Sequence, residues 1–256
     1  MILLVSGEGP TDIGATQSQQ CPTPTDEVAW GPMGMMINKL VEPIWGYEPI
    51  NGGGMMFVAK AALLTYQRQA KAAKPRSLTL LGRGDRKQET AYFFENARSL
   101  ARIAKEVAES EQCQTGGVLF RDADGTRSAD RSQRDAKVRS MQSGFAAESF
   151  PNGVPMVPKP KSEAWLLCAL QEHPYQECDR FEALSGNDDS PNPAKDLLDE
   201  AIGSQSNAGD LAEFVAKGRV DVQQIEMPSF REFRERMEEV AKTMLSGPEN
   251  PGQIRP

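Results

Sequence analysis

Two stretches hold the residues of this sequence best suited to chemistry: MILLVSGEGPTDIG at the start and GGVLFRDADGTR near the middle. Each is an apolar run too brief for a helix, stopping at carboxylates set among glycines. Glu8 and Asp12 follow the first run, and Asp122 and Asp124 the second. A short apolar run bounded by turn residues reads as a buried strand. Two carboxylates about 4 Å apart repel by roughly 4 kcal/mol at an effective dielectric near 20. If these acids converge, the cluster must take up protons or hold a cation. Oxygen ligands with no Cys or His beside them suit Mg²⁺ or Mn²⁺. The single residue between Asp122 and Asp124 puts both on one side of an extended segment. Gly125 lets the backbone turn away just afterwards. Hard-cation sites of this kind handle phosphates, because the metal bridges phosphate oxygens and activates water.

The elements that must position these acids follow from hydrophobic spacing. Strands are expected at 2–5, 77–81, 117–121 and 154–157. Residues 15–54, rich in Pro, Gly, Gln and Met, read as an irregular insertion with a short helix over 33–40. Helical spacing covers 55–74, 87–109 and 130–147. KSEAWLLCALQ starts another helix with Glu163 in its first turn, and NPAKDLLDEAI a further one with Pro193 near its start. Two more are expected over 211–217 and in SFREFRERMEEVAKTML, where Ser229 and Glu232 have capping-box spacing. Trp165 and Leu166 read as core. Strands alternating with helices indicate an α/β fold with a mostly parallel sheet flanked by helices. Ligands gather beyond the carboxyl ends of such strands, where Glu8, Asp122 and Asp124 fall. The expected division is a core over 1–172, a helical C-terminal appendage over 173–245 and a disordered tail over 246–256.

Composition bounds the alternatives. The chain has 256 residues, 39% apolar and 25% charged, the balance of a soluble globular protein. The N-terminal apolar run is too short for a signal peptide or membrane span. Cys21, Cys113, Cys168 and Cys178 form no CxxC pair, which fits a reducing cytoplasm and argues against a zinc site or disulfide framework. His173, followed by Pro174, is the only histidine and reads as a helix end, so Ser-His-Asp hydrolysis is disfavoured. The net charge of −7 does not mark a general nucleic-acid binder. Basic residues nevertheless crowd two regions. One contains Arg68, Lys71, Lys74, Arg76, Arg83, Arg86 and Lys87; the other Arg121, Arg127, Arg131, Arg134, Lys137 and Arg139, with Lys159 and Lys161 further on. They read either as solvated helix faces or as a basic surface beside the acids.

VSGEGPTD and VLFRDADG resemble the topoisomerase–primase (TOPRIM) domain, which has a glutamate and glycine after its first strand and a DxD after a later one. Glu8 matches the motif glutamate, and Asp122 and Asp124 match the DxD. Asp12 resembles the second acid of TOPRIM nucleases that work with ATPases. KPKSEAWLL, NPAKDLLDEA and PSFREF are similar to segments of TOPRIM-like families from bacterial phage-defence loci. The resemblance implies a Mg²⁺- or Mn²⁺-dependent nuclease, the effector of an anti-phage defence or toxin system. It implies a metal site of Glu8, Asp122 and Asp124, with Asp12 and Glu163 as further ligands or positioners of water. Glu8 has general acid or base chemistry as its other role, and Lys161 or Lys159 would neutralise charge on the phosphate. Arg83, Arg86, Lys87, Arg121, Arg127 and Lys159 would contact nucleic acid. The chain lacks GxxxxGK[ST], so an ATPase would be a separate partner. Oligomerisation is left open.

Each assignment has a plainer counterpart. Asp12 would cap a helix beginning at Ile13, Glu163 would complement a helix dipole, and Lys161 would be an ordinary surface lysine. DADGT also resembles the haloacid-dehalogenase phosphatases, whose first Asp attacks phosphorus. That reading leaves GEGPTD unexplained. A metal- or nucleotide-binding sensor without cleavage and a nucleotidyltransferase are the remaining alternatives.

Overall fold

The structure, a computed structural model, describes residues 1–9, 11–72, 88–123, 131–187 and 189–247. In chain order the strands and helices are β1 (Ile2–Ser6), β2 (Gly14–Ala15), β3 (Thr23–Pro24), β4 (Ala29–Trp30), α1 (Pro32–Trp45), β5 (Met55–Phe57), α2 (Lys60–Ala72) and α3 (Gln88–Ser110). There follow β6 (Thr115–Phe120), α4 (Arg131–Ala147), β7 (Gly153–Met156), α5 (Ser162–Leu170), α6 (Ala194–Ile202), α7 (Ala208–Ala216) and α8 (Pro228–Ser246). The expected strand at 77–81 and the tail from 248 lie outside the described residues.

The central sheet has the order β3-β5-β1-β6-β7. The β5–β1, β1–β6 and β6–β7 pairs are parallel, and only the short edge strand β3 is antiparallel. The fold is therefore α/β, with a mixed, mostly parallel sheet. The inner strands are buried on both faces, and successive side chains enter opposite cores as a pleat requires. Leu3 and Val5 enter one core with Val118, Phe120, Val154 and Met156. Leu4 and Leu119 enter the opposite core, against Leu63, Phe93, Leu100 and Met141. Helix α1 covers the first side and α2, α3 and α4 the second. The chain leaves β1 for β5 on one side, then returns to β6 on the other. The gap between the carboxyl ends of β1 and β6 is thus a topological switch point, where ligands bind in open α/β sheets.

Several expectations need correction. Residues 55–57 form a strand, not the start of a helix, because Met55, Met56 and Phe57 pair with Leu3, Leu4 and Val5. The insertion is more ordered than its composition implies, since α1 runs on past Leu40 through Pro43. Its end is fixed by Trp45, which is buried and donates its indole N–H to the Ala241 carbonyl at 3.1 Å. Helix α8 starts at Pro228, with Met227 at the N-cap, so Ser229 and Glu232 form no capping box. Ser229 instead accepts from the Trp165 indole at 2.8 Å, and its N–H donates to Glu182 at 2.6 Å. Segment 173–245 is not peripheral: Leu211, Phe230, Phe233, Met237 and Val240 share one core with β1 and α1. Cys168 and Cys178, expected to be free, form a disulfide, leaving Cys21 and Cys113 as thiols. Among the described residues no helix is long and apolar enough to cross a membrane.

Candidate functional site

The loop after β1 is pinned against the start of α1. Gly31 N–H donates to the Ile13 carbonyl at 2.8 Å and Met33 N–H to the Asp12 carbonyl at 2.9 Å. This approach depends on glycine, because a Cβ on Gly31 would stand 2.4 Å from the Asp12 carbonyl oxygen. Asp12 caps no helix: Gly14–Ala15 is a strand paired with β4. Its carboxylate points to the sheet's carboxyl end instead.

There it meets α5. Ser162, the first residue of that helix, donates its hydroxyl to Asp12 Oδ1 at 2.6 Å. The Ser162 backbone N–H donates to Asp122 Oδ1 at 3.2 Å. First-turn N–H groups of a helix have no intrahelical acceptor, and the helix dipole favours negative charge there. One residue thereby joins the acid that follows β1 to the acid that follows β6. Glu163 Oε2 lies 3.4 Å from the same hydroxyl, so its position in the first turn of α5 and its place beside the site coincide. Burial raises the pKa of Asp12; hydrogen bonds from Ser162 and Thr11 oppose this, the Glu8 charge adds to it, and Lys161 lowers it. Glu8 and Lys161 are thus within electrostatic reach of Asp12. Glu8 completes the group through Arg121, whose Nε is 3.4 Å from Glu8 Oε1.

The structure accordingly brings together Glu8, Asp12, Asp122, Lys161 and Glu163 at the switch point. Asp124, Arg127, Arg83, Arg86 and Lys87 lie outside the described residues. Lys159 is half-buried in the segment leading to α5. Among the basic residues around the second motif whose side chains are described, Arg139 is exposed and the other three turn inward. Arg121 is 0% exposed, Lys137 2% and Arg134 7%. Arg134 donates to the Val157 carbonyl at 2.8 Å and to Glu232 at 2.6 Å, tying α4 to α8. Lys137 donates to the Ala123 carbonyl and lies over the Phe93 ring. Arg121 therefore belongs to no nucleic-acid surface, and Arg134 and Lys137 act as internal braces. Ser162 is the site residue that acid spacing does not reveal. Its one sequence signal is a small hydroxyl residue opening the helix after a strand.

The donor set of Glu8, Asp12 and Asp122 is all oxygen, which fits a hard divalent cation. A carboxylate that accepts one hydrogen bond keeps further lone pairs for a metal. Among the described residues no three His, Cys, Asp or Glu groups stand in metal-holding geometry. A cavity of about 550 Å³ lies at the opposite, amino end of β7, lined by Phe145, Phe150 and Arg236, and brings none of these acids together. No protein-family model matches the chain, and neither a curated protein nor a solved structure does.

Proposed function

We propose that this chain is a TOPRIM-like nuclease that hydrolyses phosphodiesters of nucleic acid with Mg²⁺ or Mn²⁺. The observation that carries the reading is the convergence of Asp12 and Asp122 on Ser162, beside Glu8, at the switch point. A bound divalent cation would supply Lewis acidity toward phosphate oxygens and activate water. Glu8, Asp12, Asp122 and, by motif, Asp124 would hold it. The 41% exposed Glu8 side chain is open to proton exchange with a reacting group. Lys161, at the N-cap of α5, would offset charge developing on the phosphate. The ATPase partner and the defence or toxin setting follow from the motif resemblance alone. A cytoplasmic setting must accommodate the Cys168–Cys178 bond, since cytosolic disulfides are rare.

Incubation of the purified chain with tRNA, plasmid and single-stranded DNA in Mg²⁺ or Mn²⁺ tests the reading. Cutting that is lost in Asp122→Ala supports it, and cutting that survives this change removes the assignment. A second reading, a metal- or nucleotide-binding subunit without cleavage, is favoured by the burial of Arg121, Arg134 and Lys137. That burial takes three cations out of any track for a polymer backbone. Metal binding without cutting, alone or with an ATPase partner, would select it.

A further inference from the structure

Arg121 follows β6 and directly precedes Asp122, yet its side chain is wholly buried. Phe120 points to the α1 side of the sheet and Leu119 to the α3 side. By alternation Arg121 turns toward α3, where its guanidinium lies 5.7 Å from the Tyr92 ring centroid. Nη1 donates to the Phe120 carbonyl at 2.6 Å. Nε and Nη2, the two donors of the side edge, are buried without a well-aligned hydrogen bond; the Tyr92 hydroxyl lies within their electrostatic reach, and Nε stands 3.4 Å from Glu8 Oε1. An ionised group withdrawn from water costs several kcal/mol unless a counter-charge meets it. Arginine does not escape that cost by losing its proton, because it stays charged at any physiological pH. Glu8 is the carboxylate placed to compensate it.

We propose that Arg121 is a positioning residue that acts through Glu8, a fixed cation beneath the acidic cluster that orients the Glu8 carboxylate toward the switch point. The same charge offsets the repulsion that Glu8 meets from Asp12 and Asp122, so Glu8 stays with them before a divalent ion arrives. This role rests on the metal-site reading of Glu8. It also explains why an arginine stands where an apolar strand residue would pack at no electrostatic cost.

The test is a double-mutant cycle on the full chain: wild type, Arg121→Met, Glu8→Gln and the double variant. Each is measured for Mn²⁺ binding by calorimetry at one pH, and for thermal unfolding in chelator. Arg121→Met is expected to change the Mn²⁺ Kd by about fivefold or more alone, and by less than about twofold when Glu8→Gln is present. Arg121→Lys, which keeps the charge and loses the side edge, falls between. Equal shifts in both backgrounds overturn the proposal, because a residue acting on all the acids alike would not depend on Glu8. If the wild type binds no Mn²⁺, the metal reading fails, and the pair is then judged on unfolding. There the Tm loss from Glu8→Gln must shrink by about half or more once Arg121 is Met. An unchanged loss overturns the pairing. Should Arg121→Met not fold, Arg121→Lys takes its place in the cycle, with a change in Kd of about twofold or more that shrinks by about half or more when Glu8→Gln is present as the expected result, and equal shifts in both backgrounds as the overturning one.

Discussion

Ser162 donates its hydroxyl proton to Asp12 Oδ1 at 2.6 Å across 150 positions of sequence, while its backbone N–H serves Asp122. The two functions of that residue separate cleanly. Ser162→Ala removes the hydroxyl and leaves the N–H in place. Asp12 then loses its aim, and Asp122 keeps its anchor. Groups that orient metal ligands are worth 10–100-fold in affinity or activity. Mn²⁺ binding and any cleavage by Ser162→Ala should therefore weaken by about one to two orders of magnitude. The far-ultraviolet circular dichroism should be unchanged. A variant that binds Mn²⁺ like the wild type would show that Asp12 needs no orientation from α5.

Arg134 separates a structural cation from a surface one. It is buried and bridges the end of β7 to α8, and Glu232, its carboxylate partner, is half-exposed. Arg134→Ala strands the Val157 carbonyl without its donor and should cost roughly 1–3 kcal/mol of stability. Arg139, exposed on the same helix, should change stability by no more than about 0.5 kcal/mol when replaced by Ala. Urea unfolding of both variants reads the difference. Equal midpoints would mean that Arg134 braces nothing.

The Cys168–Cys178 bond closes a short loop between α5 and the 3₁₀ turn Cys178–Ala183, and both cysteines are buried. A loop of this size is worth about 2–3 kcal/mol in chain entropy. Denatured without reductant, the protein should expose two thiols, those of Cys21 and Cys113, and four after reduction. Reduction should lower the urea midpoint, and Cys168→Ser should remove that sensitivity. Four thiols in the unreduced protein would show that the bond does not form.

The acids at strand ends were legible because a strand leaves a strong local signature: a short apolar run stopped by glycine. Longer-range facts were not. Met55–Phe57 pairs in parallel with β1, a partnership set by tertiary contact, and its three residues are too few for a period to register. The Cys168–Cys178 pairing depends on how the chain folds back after α5, which spacing alone does not convey. Charge runs misled for a related reason. Arg121, Arg134 and Lys137 look like surface in one dimension, yet each finds carbonyls or a carboxylate inside the fold. Ser162 stayed hidden because its partners lie on two other segments.

Asp12 gives the site a pH signature. Burial is the largest influence on its carboxyl and raises its pKa above the ordinary 3.8. A raised carboxyl pKa means that the folded state prefers the protonated form, so the ionised form at neutral pH costs stability. Asp12→Asn keeps an acceptor for the Ser162 hydroxyl and removes that charge. In chelator, the variant should melt higher than the wild type at pH 7. The gain should shrink as pH falls through the raised pKa, and vanish below about 3.8, where both folded and unfolded wild type carry the proton. Thermal scans of the two proteins from pH 3 to pH 8 check this. Such a gain would also mark Asp12 as a residue retained at the expense of stability, as functional acids are. A variant that melts lower than the wild type at pH 7 would mean that Ser162 and Lys161 already repay the burial of the carboxylate, and that Asp12 stabilises the fold.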